Sequence, residues 1–532
     1  MKDKRFLLVL MLLISLILIS CDEAAPPDKT DISIENEKPV EGGTISISSV
    51  EPGSLNPLLN KSKSYNDISK LIFQSLVEYD ANLKITPVLA QSWSFEDGSS
   101  RCVIKLKDNV LWSDGESFTA NDVKFSLDII KASEDSIYKS NLEHISSYKV
   151  RDDETIEIVF DQPFAIAIDM LSFPIIPQHV YQENLDAVPI GTGMFKVSQY
   201  NKLKYMELIF NDKWNGQEKP YVEKINVTFI NDLEAFSTAF QTKELDLLNT
   251  TSYDWEKYSE MNDVSAYQYS TMYYDFIGLN YNNPIFQDKA VRKAMIKGIN
   301  RKSIVSKHLL GNAVVTDVPI NPISWLNDGE DTKFSYSRSE AQNLLKTTGF
   351  ADSNNDGILE REVGGVKQEL RFTLMTNDEN EFRRKAAEDI KKNLEDIGFR
   401  VEIKFVAFAD LRAAIDTKTF DAVLTGYNLS NTQDLSFAFH STQIESGNNF
   451  MSYSNPKIDN LLQQAYTTLN DSQRKEIYKS LQQSFREEVP CISLFFREAA
   501  LVVRNKIRGE IIPDTANPYR SIHQWFIPES KQ

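Results

Sequence analysis

A mixed α/β fold spread over two or three domains is predicted by three features of this 532-residue sequence. First, about 490 residues follow Gly42, and single hydrophobic cores stop growing at roughly 250–300 residues. Second, Leu370, Phe372 and Leu374 alternate as a strand does, Phe382, Ala386, Ile390, Leu394 and Ile397 share one helical face, and Val401, Ile403 and Phe405 alternate again. Gly398 closes that helix, so the stretch reads as strand, helix, strand. Third, Thr119-Ala120-Asn121-Asp122 forms a capping box, in which Thr119 accepts the Asp122 amide while the carboxylate reaches back. Val123, Leu127 and Ile130 continue it at helical spacing.

From the N-terminus onward, Lys2, Lys4 and Arg5 precede an apolar run from Phe6 to Ile14 that resumes after Ser15 and reaches Ile19. Residues 1–20 therefore read as a signal peptide; roughly 14 apolar residues fall short of the ~20 that a membrane-spanning helix needs. Leu18-Ile19-Ser20-Cys21 looks like a bacterial lipobox, which would make Cys21 the lipidated first residue of the mature chain. Residues 21–39, rich in Pro, Asp, Glu and Lys, cannot bury a core and read as a disordered tether. Two acyl chains, at about 0.8 kcal/mol per buried CH₂, suffice for stable anchoring, which predicts the outer face of the cytoplasmic membrane. Further helices are predicted at Lys289–Ile299, Lys457–Thr468 and Ser472–Val489, the last with Ile477, Leu481 and Phe485 on one stripe. No internal repeat and no Gly/Ser linker interrupts the folded part, so the domains are expected to exchange strands rather than follow in series.

The net charge is −18, and removal of the leader, with three basic residues and one acidic, brings it to −20. Positive and negative residues are mixed without a basic patch, which argues against nucleic acid; the negative excess reads as a solubility device. Beyond Cys21, the thiols Cys102 and Cys491 sit in apolar, strand-like contexts, and two buried thiols are expected rather than a bridge. His144, His179, His308, His440 and His523 are scattered and lack metal-ligand spacing. Asp352-x-Asn354-x-Asp356-Gly357 imitates the start of a calcium loop, yet Val363 stands at the twelfth position, where such a loop carries Glu. It reads as an Asx-rich surface turn, and neither a metal nor a cofactor is expected. No nucleophile elbow, phosphate loop or dinucleotide fingerprint is present, so an enzyme is not expected; the best enzymatic alternative is a tethered hydrolase using two cleft carboxylates.

Between Ala90 and Ser126 the chain reads Ala-Gln-Ser-Trp, then Asp97-Gly98, a strand, Trp112-Ser-Asp-Gly, and Phe118-Thr-Ala-Asn-Asp-Val-Lys-Phe-Ser. This is similar to the signature of the family 5 extracellular solute-binding proteins, which includes oligopeptide and dipeptide binders. Glu51-Pro52-Gly53-Ser54-Leu55-Asn56-Pro57, Gly191-Thr192-Gly193-Met194-Phe195-Lys196, Val291-Arg292-Lys293-Ala294, Tyr453-Ser454-Asn455-Pro456 and Glu488-Val489-Pro490 resemble its other landmarks, in order. The Asp-Gly pairs are turn dipeptides and Trp93 and Trp112 are large packing surfaces, so the signature looks structural rather than ligand-binding.

The resemblance implies a two-lobed, three-domain clamp of the periplasmic-binding-protein type II-like kind, with mixed sheets. Domain I would comprise residues 40–58, 186–278 and 497–532, domain II residues 59–185, and domain III residues 279–496, with hinge crossings near Phe276–Asn280 and Ser493–Glu498. It also implies a monomer that closes over a peptide, held through its main chain, and delivers it unchanged to an ABC permease. By position, the candidate ligand-facing residues are Asn56, Tyr138, Gly426, Tyr427, Asn428 and Ser430, each with ordinary packing as its alternative. Gly426 would let a ligand backbone approach and Tyr427 would stack or hydrogen-bond. Tyr427 replaces the family's Trp, and Ser430 falls where its amine-binding Asp would sit. A serine cannot neutralise a cation, which keeps open a non-peptide cargo, such as an oligosaccharide or a metal chelate, or a peptide-sensing receptor that imports nothing.

Overall fold

The computed structural model describes residues 38–97, 100–251, 255–330 and 332–532. The leader (1–20), Cys21, most of the tether and Gly98 lie outside the described residues. No helix among the described residues is long and apolar enough to cross a membrane.

The first lobe is built from two four-stranded sheets. In one, strand Thr44–Ser49 turns Ile45 and Ile47 inward and lies parallel to Lys224–Phe229, followed by the antiparallel strands Tyr205–Phe210 and Phe195–Asn201. The other is an antiparallel sheet in the order Ala90–Glu96, Arg101–Leu106, Thr155–Phe160, Ile145–Asp152. Helix Ala120–Ala132 covers the second sheet and starts at the predicted capping box, where Thr119 N–H donates to Asp122 Oδ2 at 2.8 Å. One core joins both sheets, with Trp112, Tyr65, Phe173 and Trp525 fully buried in it. The Gly191-Thr192-Gly193 turn explains its own glycines: a Cβ at Gly191 would lie 1.9 Å from the Ile72 carbonyl oxygen, which accepts the Gly193 N–H at 2.8 Å.

A seven-stranded sheet links the lobes. Its order is Leu247–Thr250, Ile492–Arg504, Val264–Leu279, Ala422–Asn428, Arg371–Asn377, Arg400–Val406, with Ala313–Val315 added against Ile492–Arg504. Strands Arg371–Asn377 and Arg400–Val406 are parallel and are connected through helix Glu381–Glu395, as the alternating pattern predicted. The predicted helices at 289, 457 and 472 appear as Lys289–Gly298, Pro456–Thr467 and Asp471–Glu488. Two cores flank this sheet in the second lobe, one around Phe286, Phe372 and Ile390, the other around Tyr274, Phe276 and Phe485. Cys102 and Cys491 are free and buried, and burial pushes both thiols up to about 12.

The two long strands Val264–Leu279 and Ile492–Arg504 pass from one lobe to the other, and their pairing slips register between Ser270 and Tyr274 and again between Asp275 and Phe276. Such irregularities bend and twist a ladder locally. Asp275 lies there, fully buried between two cations: Arg383 donates from Nε (3.1 Å) and Nη2 (3.0 Å) to Oδ1, and Arg497 from Nε to Oδ2 at 2.5 Å.

Candidate functional site: the inter-lobe cleft

Away from the crossing strands, the lobes meet again along a rim. The short hairpin of Val77–Tyr79 and Ile85–Pro87 projects a tip from the first lobe, and at its end Leu83 adopts φ +61°. That left-handed conformation costs a non-glycine residue about 1 kcal/mol. It sends the Leu83 side chain into the second lobe's core beside Met272, Trp325 and Leu326, where it is 2 % exposed. Trp325 N–H donates to the Asn82 carbonyl at 2.8 Å, and Lys84 Nζ lies 3.0 Å from Asp471. Farther along, Ala165 N–H donates to the Tyr466 carbonyl at 2.6 Å, and the Tyr466 ring stacks on Phe164 at 5.8 Å. Between these contacts Asp169 faces Arg474 across a cavity of about 100 Å³; burial raises the Asp169 carboxyl and the Arg474 charge opposes the rise.

Behind the rim lie two larger cavities that share Tyr519 as a wall, one of about 350 Å³ and one of about 860 Å³. The first is lined by Lys70, Glu78, Tyr138 and Arg520 of the first lobe and by Asn431, which enters from the second. The second is lined by Lys63, Asp67, Asn249, Tyr258 and Tyr269. Asp67 is buried between Lys63 (2.6 Å) and Lys70 (3.5 Å). Burial and then the Asp67 charge push the Tyr138 hydroxyl up to about 12, and the same two causes raise Tyr269 and Tyr519. These tyrosines are therefore neutral donors over the physiological range. Tyr269 donates to Asn249 Oδ1 at 2.7 Å. Burial raises the Glu78 carboxyl, and Arg520, 3.4 Å away, counters it. The walls thus combine phenol rings, amides, the carboxylates of Asp67 and Glu78 with their basic partners, and the carboxylate of Glu234. Such a surface offers hydrogen-bond donors and acceptors to a polar solute.

Of the six residues expected to face a ligand, Tyr138 lines the smaller cavity, whereas Asn56, Gly426, Tyr427, Asn428 and Ser430 line neither of the two larger ones. Asn56 is fully buried: its Oδ1 accepts the Leu58 N–H at 3.0 Å and its carbonyl accepts those of Leu59 and Asn60. A Cβ at Gly426 would lie 2.8 Å from the Tyr274 carbonyl and 2.7 Å from Arg383 Nη2, so the space beside this glycine is taken by the protein itself. The Tyr427 ring packs against Phe276 (5.0 Å) and Phe437 (5.2 Å), and its hydroxyl donates to the Asn448 carbonyl at 3.3 Å. Asn428 and Ser430 are exposed, and Ser430 Oγ accepts from Thr432. Asn431, one residue beyond, is the second-lobe side chain on the cavity wall. Sequence reasoning missed it, and missed Asp67, Tyr269, Tyr519 and Arg520, because their local patterns carry no mark of a site.

Comparison with known proteins places this architecture. The family described as bacterial extracellular solute-binding proteins, family 5 Middle, matches residues 84–449. The oligopeptide-binding protein AppA of Bacillus subtilis (strain 168) is 27% identical over 554 residues, covering 99% of this chain and 100% of that protein. The structure of AppA from Bacillus subtilis in complex with a nonapeptide matches with a TM-score of 0.64 over 92% of this chain and 100% of its own. NikZ from Campylobacter jejuni, solved in complex with Ni(L-His), is 25% identical with a TM-score of 0.66, over 92% of this chain and 99% of its own. A nickel ABC transporter structure from Bacillus halodurans, 22% identical, shares the fold with a TM-score of 0.76 over 88% of this chain and 96% of its own. With two lobes around a shared cleft and a family match across most of its folded length, this chain belongs to the bacterial extracellular solute-binding proteins of family 5.

Proposed function

We propose that this protein captures peptides between its lobes and hands them unchanged to an ABC permease, tethered to the outer face of the membrane by lipid on Cys21. One observation carries the reading: the paired cavities meeting at Tyr519 take wall from the first lobe and, through Asn431, from the second. A ligand can shift an open-closed equilibrium only by touching both lobes, and this wall meets that condition. The likeness to a protein solved with a nonapeptide supports a peptide cargo. Domain I (40–58, 186–278, 497–532), domain II (59–185) and domain III (279–496) describe the moving parts, with the crossings near Phe276–Asn280 and Ser493–Glu498, beside the register slips at residues 270–276, as the hinge. No bond in the cargo is made or broken. Within this reading Asn428 and Ser430, exposed and close in sequence to Asn431, would contact the cargo from the second lobe outside the two cavities, and Tyr138 would contact it from the first.

A second reading is a small chelate or other non-peptide solute. Ser430 in place of a carboxylate favours it, as does the likeness to a protein solved with a nickel-histidine complex. Native mass spectrometry of the protein purified without refolding separates the two. A ladder of peptide masses on the chain supports the first; a single non-peptide mass replaces it with the second. In thermal melts, a true cargo at a hundred times its Kd stabilises by about 2.7 kcal/mol and is recovered intact. Turnover of that cargo would show an enzyme instead.

A further inference from the structure

The loop Asp352–Gly357, which sequence spacing reads as a surface turn for want of a glutamate at the twelfth position, looks different once folded. Carboxylate oxygens of Asp352, Asp356 and Glu360 lie within 4.8 Å of one another. Glu360, the ninth residue from Asp352, is only 6 % exposed. Its Oε1 accepts from the backbone N–H of Ser353 at 2.9 Å, while its Oε2 is buried and meets no hydrogen-bond donor. The nearest cation is Lys367, 4.0 Å from Oε1, and that ammonium lies closer to Glu369, at 3.1 Å. A buried carboxylate oxygen without a partner, beside two further carboxylates, is costly unless a cation joins them.

We propose that these residues form a calcium site. Asp352, Asn354 and Asp356 occupy the first, third and fifth positions of a calcium loop, Gly357 (φ +84°) the sixth, where the chain must turn sharply, and Ile358 the seventh, from which a backbone carbonyl is offered. Glu360 then supplies, from the ninth position, the carboxylate that Val363 cannot. Backbone hydrogen bonds already hold the loop in shape: Asp352 accepts from Asp356 (3.1 Å) and Gly357 (3.0 Å), and Asp356 accepts from Ile358 at 2.9 Å. All the donors are oxygen, which selects a hard cation, and an irregular set of this size suits Ca²⁺ better than Mg²⁺, which demands near-ideal octahedral geometry. The ion would pin the loop to the hairpin of Glu360–Val363 and Val366–Glu369. None of these residues lines either large cavity, so the site acts on the second lobe's stability and not on the cargo.

The test is calorimetric titration of CaCl₂ into the purified protein after EDTA treatment and dialysis, with circular dichroism to verify folding. The expected result is one calcium per chain with a Kd at or below about 1 mM. A rise in melting temperature should accompany it, and MgCl₂ should not reproduce it. Glu360→Gln and, at an exposed position that leaves folding intact, Asp356→Asn should each weaken binding by at least about tenfold, because affinity tracks the ligand charge. Absence of any calcium heat or melting shift in the folded wild-type protein overturns the proposal. Full-strength binding retained in Asp356→Asn overturns it equally, by placing the ion elsewhere.

Discussion

At the crossing strands the lobes are joined by covalent chain, by a ladder that slips register twice and by Asp275 locked between Arg383 and Arg497. At the rim they are joined by one inserted leucine, two backbone hydrogen bonds, the stack of Tyr466 on Phe164, the solvent-exposed pair Lys84–Asp471, and Asp169 facing Arg474 across a cavity. The first junction buries a carboxylate hydrogen-bonded to two guanidinium groups and cannot release it without leaving ions unpaired, whereas at the second the direct ion pair is exposed and can exchange for water. There Asp169 and the buried Arg474 already stand apart across a cavity. This asymmetry is what a clamp requires: one edge that bends, and an opposite edge that parts.

The contrast is sharpest at its strong end. Asp275→Ala leaves two half-buried guanidinium groups without their shared anion, and a loss of about 3–5 kcal/mol in urea unfolding is expected. A loss below 1 kcal/mol would show that the crossing is no firmer than the rim. Leu83→Ala comes next. If Leu83 acts as a latch, the cost, about 2–3 kcal/mol, falls on the closed form alone. Calorimetry should then show apparent cargo affinity weakened by about thirty- to a hundred-and-fiftyfold, while the urea midpoint of the unliganded protein stays put. The opposite outcome, a lowered midpoint with affinity intact, would make Leu83 an ordinary core residue. Lys84→Ala removes an exposed pair and should change affinity by less than 1 kcal/mol, an effect that vanishes at high salt.

The smallest effect belongs to a control at neither junction. On the first lobe's antiparallel sheet Glu157 accepts from Arg151 Nε at 2.9 Å and from Arg101 Nη1 at 3.0 Å. The Arg151 hydrogen bonds, with Lys149 and Arg101 nearby, hold its carboxyl down at about 2. Because the folded carboxyl ionises below its unfolded value, its stabilisation is complete above roughly pH 4.5 and is lost as pH falls toward 2. Acid titration of Glu157→Gln should accordingly lose stability less steeply than the wild type in that window, with both parallel above it.

Local chemistry made much of this molecule readable in advance. The Thr119–Asp122 box, the parallel pair around helix Glu381–Glu395 and the turn at Asp114-Gly115 depend on neighbours in sequence, and each formed where its pattern lay. The cleft did not yield in the same way. Asp67, Tyr138, Tyr269 and Tyr519 come together from four separate segments, and no local periodicity records that meeting. Tyr427 shows the complementary difficulty: an aromatic at the end of a strand reads equally well as a ligand platform or as core, and only the rings of Phe276 and Phe437 show what it packs against. Leu83 was invisible because a leucine in left-handed backbone has no sequence signature.

The first lobe's core has one more property, set by where its pieces lie along the chain. Ile45 and Ile47 pack in the same core as Ile522, Trp525 and Ile527. The strand Thr44–Ser49 finds its ladder partner at Lys224–Phe229, yet the core beneath it is completed by residues 522–527, while the second lobe's two cores draw on nothing beyond Phe496. Removing residues 523–532, and with them the buried Trp525 and Ile527, should therefore make the first lobe more sensitive to proteases while sparing the second.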